Sequence, residues 1–344
     1  MEDLVAKLAR EQDLADAELA ELINNESYNA VLAREADRVR REHYGIDVYV
    51  RGLIEFTNYC KNNCYYCGIR AGNRCAQRYR LEQEEILACC KVGYDLGLRT
   101  FVLQGGEDSY YTDDKVCALV GAIKEAYPDC AVTLSIGEKS RAAYAAYKRA
   151  GADRYLLRHE TADEEHYGKL HPSTMSLANR KRCLWDLKEL GYQVGAGFMV
   201  GSPYQTTANL LSDIRFLQEL EPDMIGIGPF IHHKDTPFKN EADGTLALSL
   251  RMLSILRLCF PYALLPSTTA LGTIAPQGRE MGLQAGGNVV MPNLSPVGVR
   301  KLYSLYNNKL STGQEAAEAK ASLEESIARV GYKVVTARGD VKRR

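Results

Sequence analysis

The sequence lacks an apolar run long enough to span a membrane, and it carries hardly any net charge. Its 43 basic and 44 acidic residues give a formal net charge of −1, so there is no electrostatic case for binding nucleic acid. The first residues, Met1 to Lys7, are typical of an amphipathic helix rather than a signal peptide. We therefore expect a cytoplasmic protein without a membrane or nucleic-acid partner.

The sequence also lacks low-complexity segments and any Pro- or Gly-rich linker that would separate a second domain. Its 344 residues, 46% of them hydrophobic, can bury a large core. Cysteine is not scarce, with ten in the chain, and in a reducing cytoplasm the thiols stay free for metal. Six of them are scattered through helical patterns and are expected to be small buried apolar residues: Cys89, Cys90, Cys117, Cys130, Cys183 and Cys259.

Three cysteines stand apart from the others. Cys60, Cys64 and Cys67 follow a strand-like apolar segment with the spacing Cys-x3-Cys-x2-Cys. Three thiolates can bind a 4Fe–4S cluster, which is normally held by four, so one iron stays open for a substrate or cofactor. A structural zinc site would have four closed ligands, usually in two pairs, and Cys75 does not complete such a spacing. The pattern favours an iron–sulfur cluster, with zinc or a chance spacing as the alternatives.

Eight short β-rich runs alternate with helical stretches along the chain. The runs are residues 47–56, 100–107, 131–137, 154–160, 193–200, 224–230, 262–268 and 285–291. This alternation predicts parallel strands with right-handed crossovers. Eight such units indicate an α/β fold, a (β/α)8 TIM barrel, over residues 46–296. Residues 1–45 are predicted to form an N-terminal helical extension, and residues 297–344 a C-terminal helical closure, with helices at 297–306 and 313–330.

Polar or glycine residues gather where several of these predicted strands end. They include Gln104, Gly105, Gly106, Glu107, Ser135, Arg158, Glu160, Thr268 and Thr269. A single polar strand end only shows that the chain meets water. Several of them, together with the cysteine loop, predict an active site, because the carboxyl ends of barrel strands share one mouth.

The cysteine spacing, with Tyr66 before the last cysteine, resembles that of the radical S-adenosylmethionine (SAM) enzymes, and Gly105-Gly106-Glu107 follows one strand later. The resemblance implies that the three cysteines bind a 4Fe–4S cluster whose open iron is chelated by SAM. It implies reductive cleavage of SAM to a 5′-deoxyadenosyl radical. It also implies that the Gly-Gly-Glu segment, including the Glu107 carboxylate, binds the methionyl amino group. Tyr66 is placed near the adenine, although a tyrosine packed beneath the loop has the same sequence pattern.

Further segments resemble the FeFe-hydrogenase maturases of the HydE family. They are residues 54–70, 157–161, 171–172, 195–201, 266–273 and 286–293, so the likeness extends over roughly residues 45–310. It implies that Ser135, Glu160 and Arg180 contact SAM or the ligand beside it. Pairing of Glu160 and Arg180 with each other or with neighbours is an equal alternative. Biotin synthase and methylornithine synthase share the cysteine motif but match the later segments less well.

The same resemblance implies a substrate and partners. The substrate is an iron carbonyl cyanide complex bound to cysteine, and the partners are other maturases and an electron donor. Such an anion needs hydrogen-bond donors within the barrel, although hydroxyl residues near strand ends commonly cap local backbone instead. The residues proposed to meet it are Gln104, Arg158, Thr268, Thr269, Asn288, Tyr303 and Tyr306. No long apolar heptad indicates a coiled-coil dimer, so a monomer is expected.

One departure from this family concerns a second cluster. Some members hold an auxiliary cluster with three more cysteines near the C-terminus, where this chain has Ser311 and no cysteine after Cys259. A hydroxyl is a poor substitute for a thiolate on iron, so we predict one cluster per chain. Two alternatives stay open: a radical SAM mutase like methylornithine synthase, and a scaffold that carries an iron complex without catalysis.

Overall fold

The computed structural model describes residues 2–310 and 316–342. The helices are α1 (Glu2–Glu11), α2 (Asp16–Asn24), α3 (Asn29–Tyr44), α4 (Gln83–Asp95), α5 (Asp113–Ala126), α6 (Arg141–Arg149), α7 (Glu164–Leu170), α8 (Leu177–Glu189), α9 (Thr207–Leu220), α10 (Leu246–Cys259), α11 (Thr269–Ile274), α12 (Gly278–Gln284), α13 (Val297–Arg300) and α14 (Ala316–Arg329). The strands are β1 (Asp47–Val50), β2 (Gly52–Thr57), β3 (Thr100–Gly105), β4 (Ala131–Ser135), β5 (Arg154–Leu156), β6 (Gln193–Ala196), β7 (Met199–Val200), β8 (Met224–Ile225), β9 (Gly228–Pro229), β10 (Val289–Val290) and β11 (Lys333–Val335). In the described part of the chain, no helix has the length and apolar character needed to cross a membrane.

The parallel strands close into a barrel. Six of them pair in the order β2-β3-β4-β5-β6-β8, and β1 pairs with β10 on one side and β11 on the other. Two single bridges complete the ring, Met224 with Leu264 and Pro266 with Val289. β1 and β2 together form the first barrel strand, so the ring closes where β1 meets β10. The prediction of a (β/α)8 barrel is confirmed.

Several predicted elements are shorter than the sequence pattern indicates, for example β5, which covers Arg154–Leu156 of the predicted run 154–160. The seventh predicted strand, 262–268, is held only by the two bridges, since Pro266 has no N–H to donate to a ladder. The eighth, 285–291, is a regular strand only in β10. The predicted helix 297–306 ends at Arg300, because the carbonyls of Leu302 and Leu305 accept hydrogen bonds from the cysteine loop instead of from a following helical turn.

The N-terminal helices are tied to the barrel by a buried arginine. Arg40, in α3, is fully buried and donates to the carbonyls of Gly45, Asp47 and Gly287 at 2.7, 2.8 and 3.2 Å. Its guanidinium also lies 4.1 Å from the ring centre of Tyr332. One side chain therefore joins the extension to the first strand, the loop before β10 and the C-terminal segment.

The C-terminal segment covers the amino end of the barrel. The sequence predicted a closure here, but it did not show which end of the barrel is closed. After β11 the chain passes the first residues of β3, β5 and β6. Buried Arg154 donates to Asp340 Oδ1 at 2.5 Å and to the Arg338 carbonyl at 2.8 Å. Thr100 donates to the same carbonyl, and Gln193 to Asp340. The mouth at the carboxyl end is thus the open one.

The predicted division at residues 45 and 296 stays a prediction. The segment 297–344 contributes a barrel-edge strand, β11, as well as helices. Ser311 and the first residues of the predicted helix 313–330 lie outside the described residues, as do Arg343 and Arg344 of the basic tail.

We expect Asp340→Ala to lower the free energy of unfolding by roughly 1–3 kcal/mol, because the buried Arg154 guanidinium loses its carboxylate. Urea denaturation at pH 7 measures this change. Asp114→Ala, at an exposed position of α5, is the control and is expected to shift the free energy by less than about 0.5 kcal/mol. Equal stabilities of the two variants would show that the C-terminal segment is not anchored through this pair.

Candidate active site

The three cysteines lie on the loop between β2 and α4, at the carboxyl end of the barrel. Arg78 holds this loop from within, donating to the carbonyls of Asn58, Ile69, Arg70 and Asn73. These bonds satisfy loop carbonyls that have no strand or helix partner. Arg78 therefore fixes the shape of the loop through its backbone.

The thiols themselves are partly shielded from water. The backbone N–H of Glu107 lies 3.4 Å from Cys60 Sγ, and Cys64 Sγ lies 3.8 Å from the sulfur of Met175. Burial raises the pKa of Cys60 and Cys67, and it raises the pKa of Cys64 to about 12. Without metal the thiols stay protonated, whereas metal binding replaces the proton and stabilises the thiolate.

These thiols suit a cluster better than a single ion. In residues 2–310 and 316–342, no three His, Cys, Asp or Glu side chains are arranged to hold one metal ion. Zinc needs ligands that converge on one point, whereas a 4Fe–4S cube binds each thiolate at a different iron. The three cysteines are free and partly exposed, on one loop. The donor set therefore fits an iron–sulfur cluster.

A cavity of about 380 Å³ opens beside this loop, within the usual size range of ligand sites. It brings together most of the predicted site residues: Tyr66, Cys67, Gln104, Gly105, Ser135, Arg158, Glu160, Arg180, Thr268, Thr269, Tyr303 and Tyr306. Cys60, Cys64, Gly106, Glu107 and Asn288 do not line it. The first four of these lie in the cysteine loop or contact it.

Gly106 and Glu107 join the cysteine loop to the barrel. A Cβ on Gly106 would lie 2.1 Å from the Tyr59 carbonyl oxygen, so only glycine allows this approach. The Glu107 carboxylate accepts from the Glu138 N–H at 2.9 Å and lies 3.3 Å from Lys61 Nζ. The prediction that this carboxylate binds a ligand ammonium stays a prediction, and the structure gives the carboxylate two protein partners.

Arg180 is held by a residue that the sequence analysis missed. Its Nε donates to Glu138 Oε1 at 2.6 Å, and its Nη1 donates to the Arg158 carbonyl at 2.9 Å. Asn179 donates to the other Glu138 oxygen. Arg180 thus pairs with a neighbour and not with Glu160. The only sequence signal for Glu138 is its position three residues after β4.

Glu160 has a strained backbone and an unsatisfied carboxylate. Its φ is +68°, in the left-handed region that residues with a Cβ rarely adopt. Its Oε2 lies 3.1 Å from Arg158 Nη2 without hydrogen-bonding geometry, and both buried atoms lack a hydrogen-bond partner. Thr268 Oγ1 also lacks one. Buried polar atoms of this kind at a cavity wall fit a polar ligand such as SAM.

Tyr66 is positioned by a histidine. His171 Nδ1 lies 3.0 Å from the Tyr167 carbonyl, which only accepts, so this nitrogen carries the proton. Burial lowers the pKa of His171 to about 3, so the ring is neutral and its Nε2 accepts from the Tyr66 hydroxyl at 3.1 Å. The Tyr66 ring is thereby fixed at the cavity wall.

The cavity has more cationic than anionic side chains. Four cationic side chains and two carboxylates line it: Arg158, Arg180, Arg279, Lys309, Glu55 and Glu160. Lys309 Nζ lies 2.5 Å from Glu55 Oε1, and Asn293 donates to Glu55 Oε2 at 2.7 Å. Sequence reasoning missed Glu55, Arg279 and Lys309. A carboxylate within the otherwise uncharged strand β2 was the one signal for Glu55.

The structure contradicts the prediction that Asn288 donates to a substrate. Asn288 is fully buried outside the cavity, and its Oδ1 accepts from the Leu265 N–H at 2.8 Å and from Arg257 at 3.2 Å. Its side chain secures the backbone where the last two barrel strands meet. Thr269 lines the cavity, and its Oγ1 accepts from Arg279 at 3.5 Å.

Comparison with known proteins agrees with this geometry. Residues 54–217 match the Radical SAM superfamily. The chain is 49% identical to the FeFe hydrogenase maturase subunit HydE of Thermotoga maritima, over 84% of this chain and 82% of that one. It is 32% identical to 3-methylornithine synthase of Methanosarcina barkeri, over 84% and 82%. The crystal structure of methylornithine synthase (PylB) superposes with a TM-score of 0.86 at 28% identity, covering 96% of this chain and 97% of that one.

The family sets the cofactors, which are a 4Fe–4S cluster and SAM, and the thiols and unsatisfied polar atoms of the cavity fit both. The resemblance noted in the sequence is confirmed over most of the chain. The protein belongs to the radical SAM superfamily, in the group that contains HydE.

Proposed function

We propose that the protein is a radical SAM enzyme that acts in assembly of the diiron active-site cofactor of FeFe-hydrogenase. One observation carries the proposal: the three-cysteine loop and the Glu160 and Arg180 side chains meet at the same barrel cavity. The 49% identity to a maturase over most of both chains supports a role in hydrogenase maturation.

In this proposal Cys60, Cys64 and Cys67 hold one cluster, and Tyr66, Ser135, Glu160 and Arg180 contact SAM. When bound, the cluster and SAM supply reductive cleavage to a 5′-deoxyadenosyl radical. The protein's own contribution is binding, orientation and shelter from water. Arg180 offers a cation fixed by Glu138, and the buried walls keep a reactive species away from solvent.

The substrate is proposed to be an anionic iron carbonyl cyanide complex of cysteine. The excess of cationic side chains in the cavity supports this choice. Arg158 has two buried nitrogens without hydrogen-bond partners, and Thr268 has an unpartnered hydroxyl, so both have hydrogen-bonding capacity for such a ligand. Gln104, Thr269, Tyr303 and Tyr306 complete the polar lining.

The proposal also covers the oligomeric state, the compartment, the partners and the number of clusters. We infer a monomer that works in the reducing cytoplasm with partner maturases and an electron donor. Free thiols at all ten cysteines support a reducing compartment. A single cluster is proposed because no cysteine follows Cys259.

A methylornithine-synthase-like mutase is the second candidate, favoured by the TM-score of 0.86. Methylornithine is a diamino acid, and two ammonium groups would need carboxylate partners. Of the two cavity carboxylates, Glu55 already faces Lys309, and Glu160, beside Arg158, is assigned to SAM in this proposal. The lining therefore favours the anionic substrate. A non-catalytic scaffold would have no use for the SAM-directed residues.

We expect anaerobic, reconstituted protein to form 5′-deoxyadenosine from SAM after reduction with dithionite, measured by liquid chromatography and mass spectrometry. The Cys60→Ala/Cys64→Ala/Cys67→Ala variant should form none, because it lacks all three cluster thiolates. Cys75→Ala, at the exposed cysteine of the same loop, is the matched control and should match wild type. Product from the triple variant would contradict the cluster assignment, and wild type that binds no SAM would leave only the scaffold.

The substrate is tested by adding the anionic iron complex or a basic amino acid to the same assay. We expect the iron complex to increase deoxyadenosine formation, because its charge complements the cavity. Stimulation by the amino acid alone would identify a mutase instead.

Glu138→Gln is expected to weaken SAM binding by about tenfold, because the buried Arg180 loses the charge that fixes its position. Equilibrium dialysis with labelled SAM measures the dissociation constant. Glu189→Gln removes the charge from a glutamate paired with exposed Arg141 and should leave binding unchanged. Equal affinities for both variants would show that Glu138 does not support the site.

Iron and sulfide analysis tests the number of clusters. We expect about four irons per chain after reconstitution, the content of one 4Fe–4S cluster. A value near eight would mean a second cluster, and it would overturn the inference drawn from Ser311.

A further inference from the structure

The left-handed backbone of Glu160 needs support from its surroundings. Residues with a Cβ avoid positive φ, and they adopt it in folded proteins only where neighbouring contacts enforce it. The Glu160 N–H donates to the Gly197 carbonyl at 3.0 Å, and its carbonyl accepts from Met199 N–H at 3.3 Å. These two bonds fix the distance of Glu160 from the neighbouring strand. They do not fix the residues before and after it.

Asp213 contacts residues on both sides of Glu160. It lies in α9 and is fully buried, and its Oδ1 accepts from the Ala162 N–H at 2.6 Å. The same oxygen lies 3.2 Å from His159 Nε2. His159 precedes Glu160, and Ala162 follows it by two residues. One carboxylate oxygen from a distant helix therefore brackets the strained residue.

The histidine has a defined tautomer. The Gly197 N–H donates to His159 Nδ1 at 3.4 Å, so Nε2 carries the proton and donates to Asp213. Burial lowers the pKa of His159 far below its usual value, so the ring is neutral. His159 thus links Asp213 to the same Gly197 that accepts from Glu160.

A packing role alone does not explain this pair. Asp213 and His159 are both 0% exposed, and burying polar groups is unfavourable compared with apolar residues of similar size. Asp213 Oδ2 has no hydrogen-bond partner, so the carboxylate is not fully satisfied even here. What the pair provides is a fixed backbone at residues 159–162.

We propose that Asp213 is a positioning residue for SAM, which acts through His159 and the Ala162 N–H to hold Glu160 in the conformation that places its carboxylate at the cavity. This inference rests on the proposed function, in which Glu160 contacts SAM. Asp213 itself does not line the cavity.

We expect Asp213→Ala to raise the dissociation constant for SAM tenfold or more, about the loss seen when outer-shell partners are removed from other sites. Asp213→Asn keeps an acceptor oxygen and should restore affinity close to wild type. Asp223→Ala is the matched control, because Asp223 is also buried and accepts from the backbone N–H of Val194, at the opposite end of the barrel. It should leave SAM affinity unchanged.

A double-mutant cycle separates positioning from general destabilisation. In a Glu160→Gln background, Asp213→Ala should cause little further loss of SAM affinity, because both changes act through the Glu160 carboxylate. Fully additive losses would overturn the proposal, as would unchanged affinity in Asp213→Ala. Iron content and thermal unfolding of each variant show whether the cluster and fold are retained.

If Asp213→Ala does not fold, His159→Leu carries the test, since it leaves the Asp213 bond to Ala162 in place. We expect a smaller loss of SAM affinity in that variant, and an unchanged dissociation constant would overturn the proposal. Wild-type protein that holds a cluster but binds no SAM would instead overturn the proposed function, and this inference with it.

Discussion

The site depends on closure of the barrel, because the groups that line the cavity come from residues as far apart as Glu55 and Lys309. β1 must meet β10 for the first strand to stand beside the last, and the short bridges at Leu264 and Pro266 complete the ring. Once the barrel is closed, the carboxyl ends of its eight strands share one mouth. The cysteine loop, the SAM-directed side chains and the cationic lining are then brought together by geometry alone.

Charge placement within the cavity follows from burial. A charge removed from water needs a partner, and each buried carboxylate here has one or more: Glu55 has Lys309, and Glu138 has Arg180. Two nitrogens of Arg158 lack hydrogen-bond partners, although one of them lies 3.1 Å from the Glu160 carboxylate. An incoming anion could accept hydrogen bonds from these nitrogens. The charged side chains of the cavity thus favour an anionic substrate, and their pairing also stabilises the fold.

The barrel and much of its mouth could be predicted from the sequence, because strands that alternate with helices leave few other arrangements. Strand-end residues such as Glu160 follow from the same rule. Lys309 could not be predicted, since no local pattern shows that a residue after the barrel folds back to meet Glu55. Asn288 was a wrong prediction for a related reason. A polar residue near a strand end can serve the fold, and this one accepts from the Leu265 N–H.

The two ends of the barrel differ in how fully their buried polar groups are satisfied. At the amino end, Arg154 and Asp340 join the strands to the C-terminal segment, and the nearby carbonyls accept hydrogen bonds. At the mouth, Glu160 keeps a strained backbone and an unsatisfied oxygen. Strain of this kind persists only where the surroundings outweigh it. Because the amino end is firmly closed, stability gained there allows the mouth to hold polar groups in conformations that suit a ligand rather than the fold.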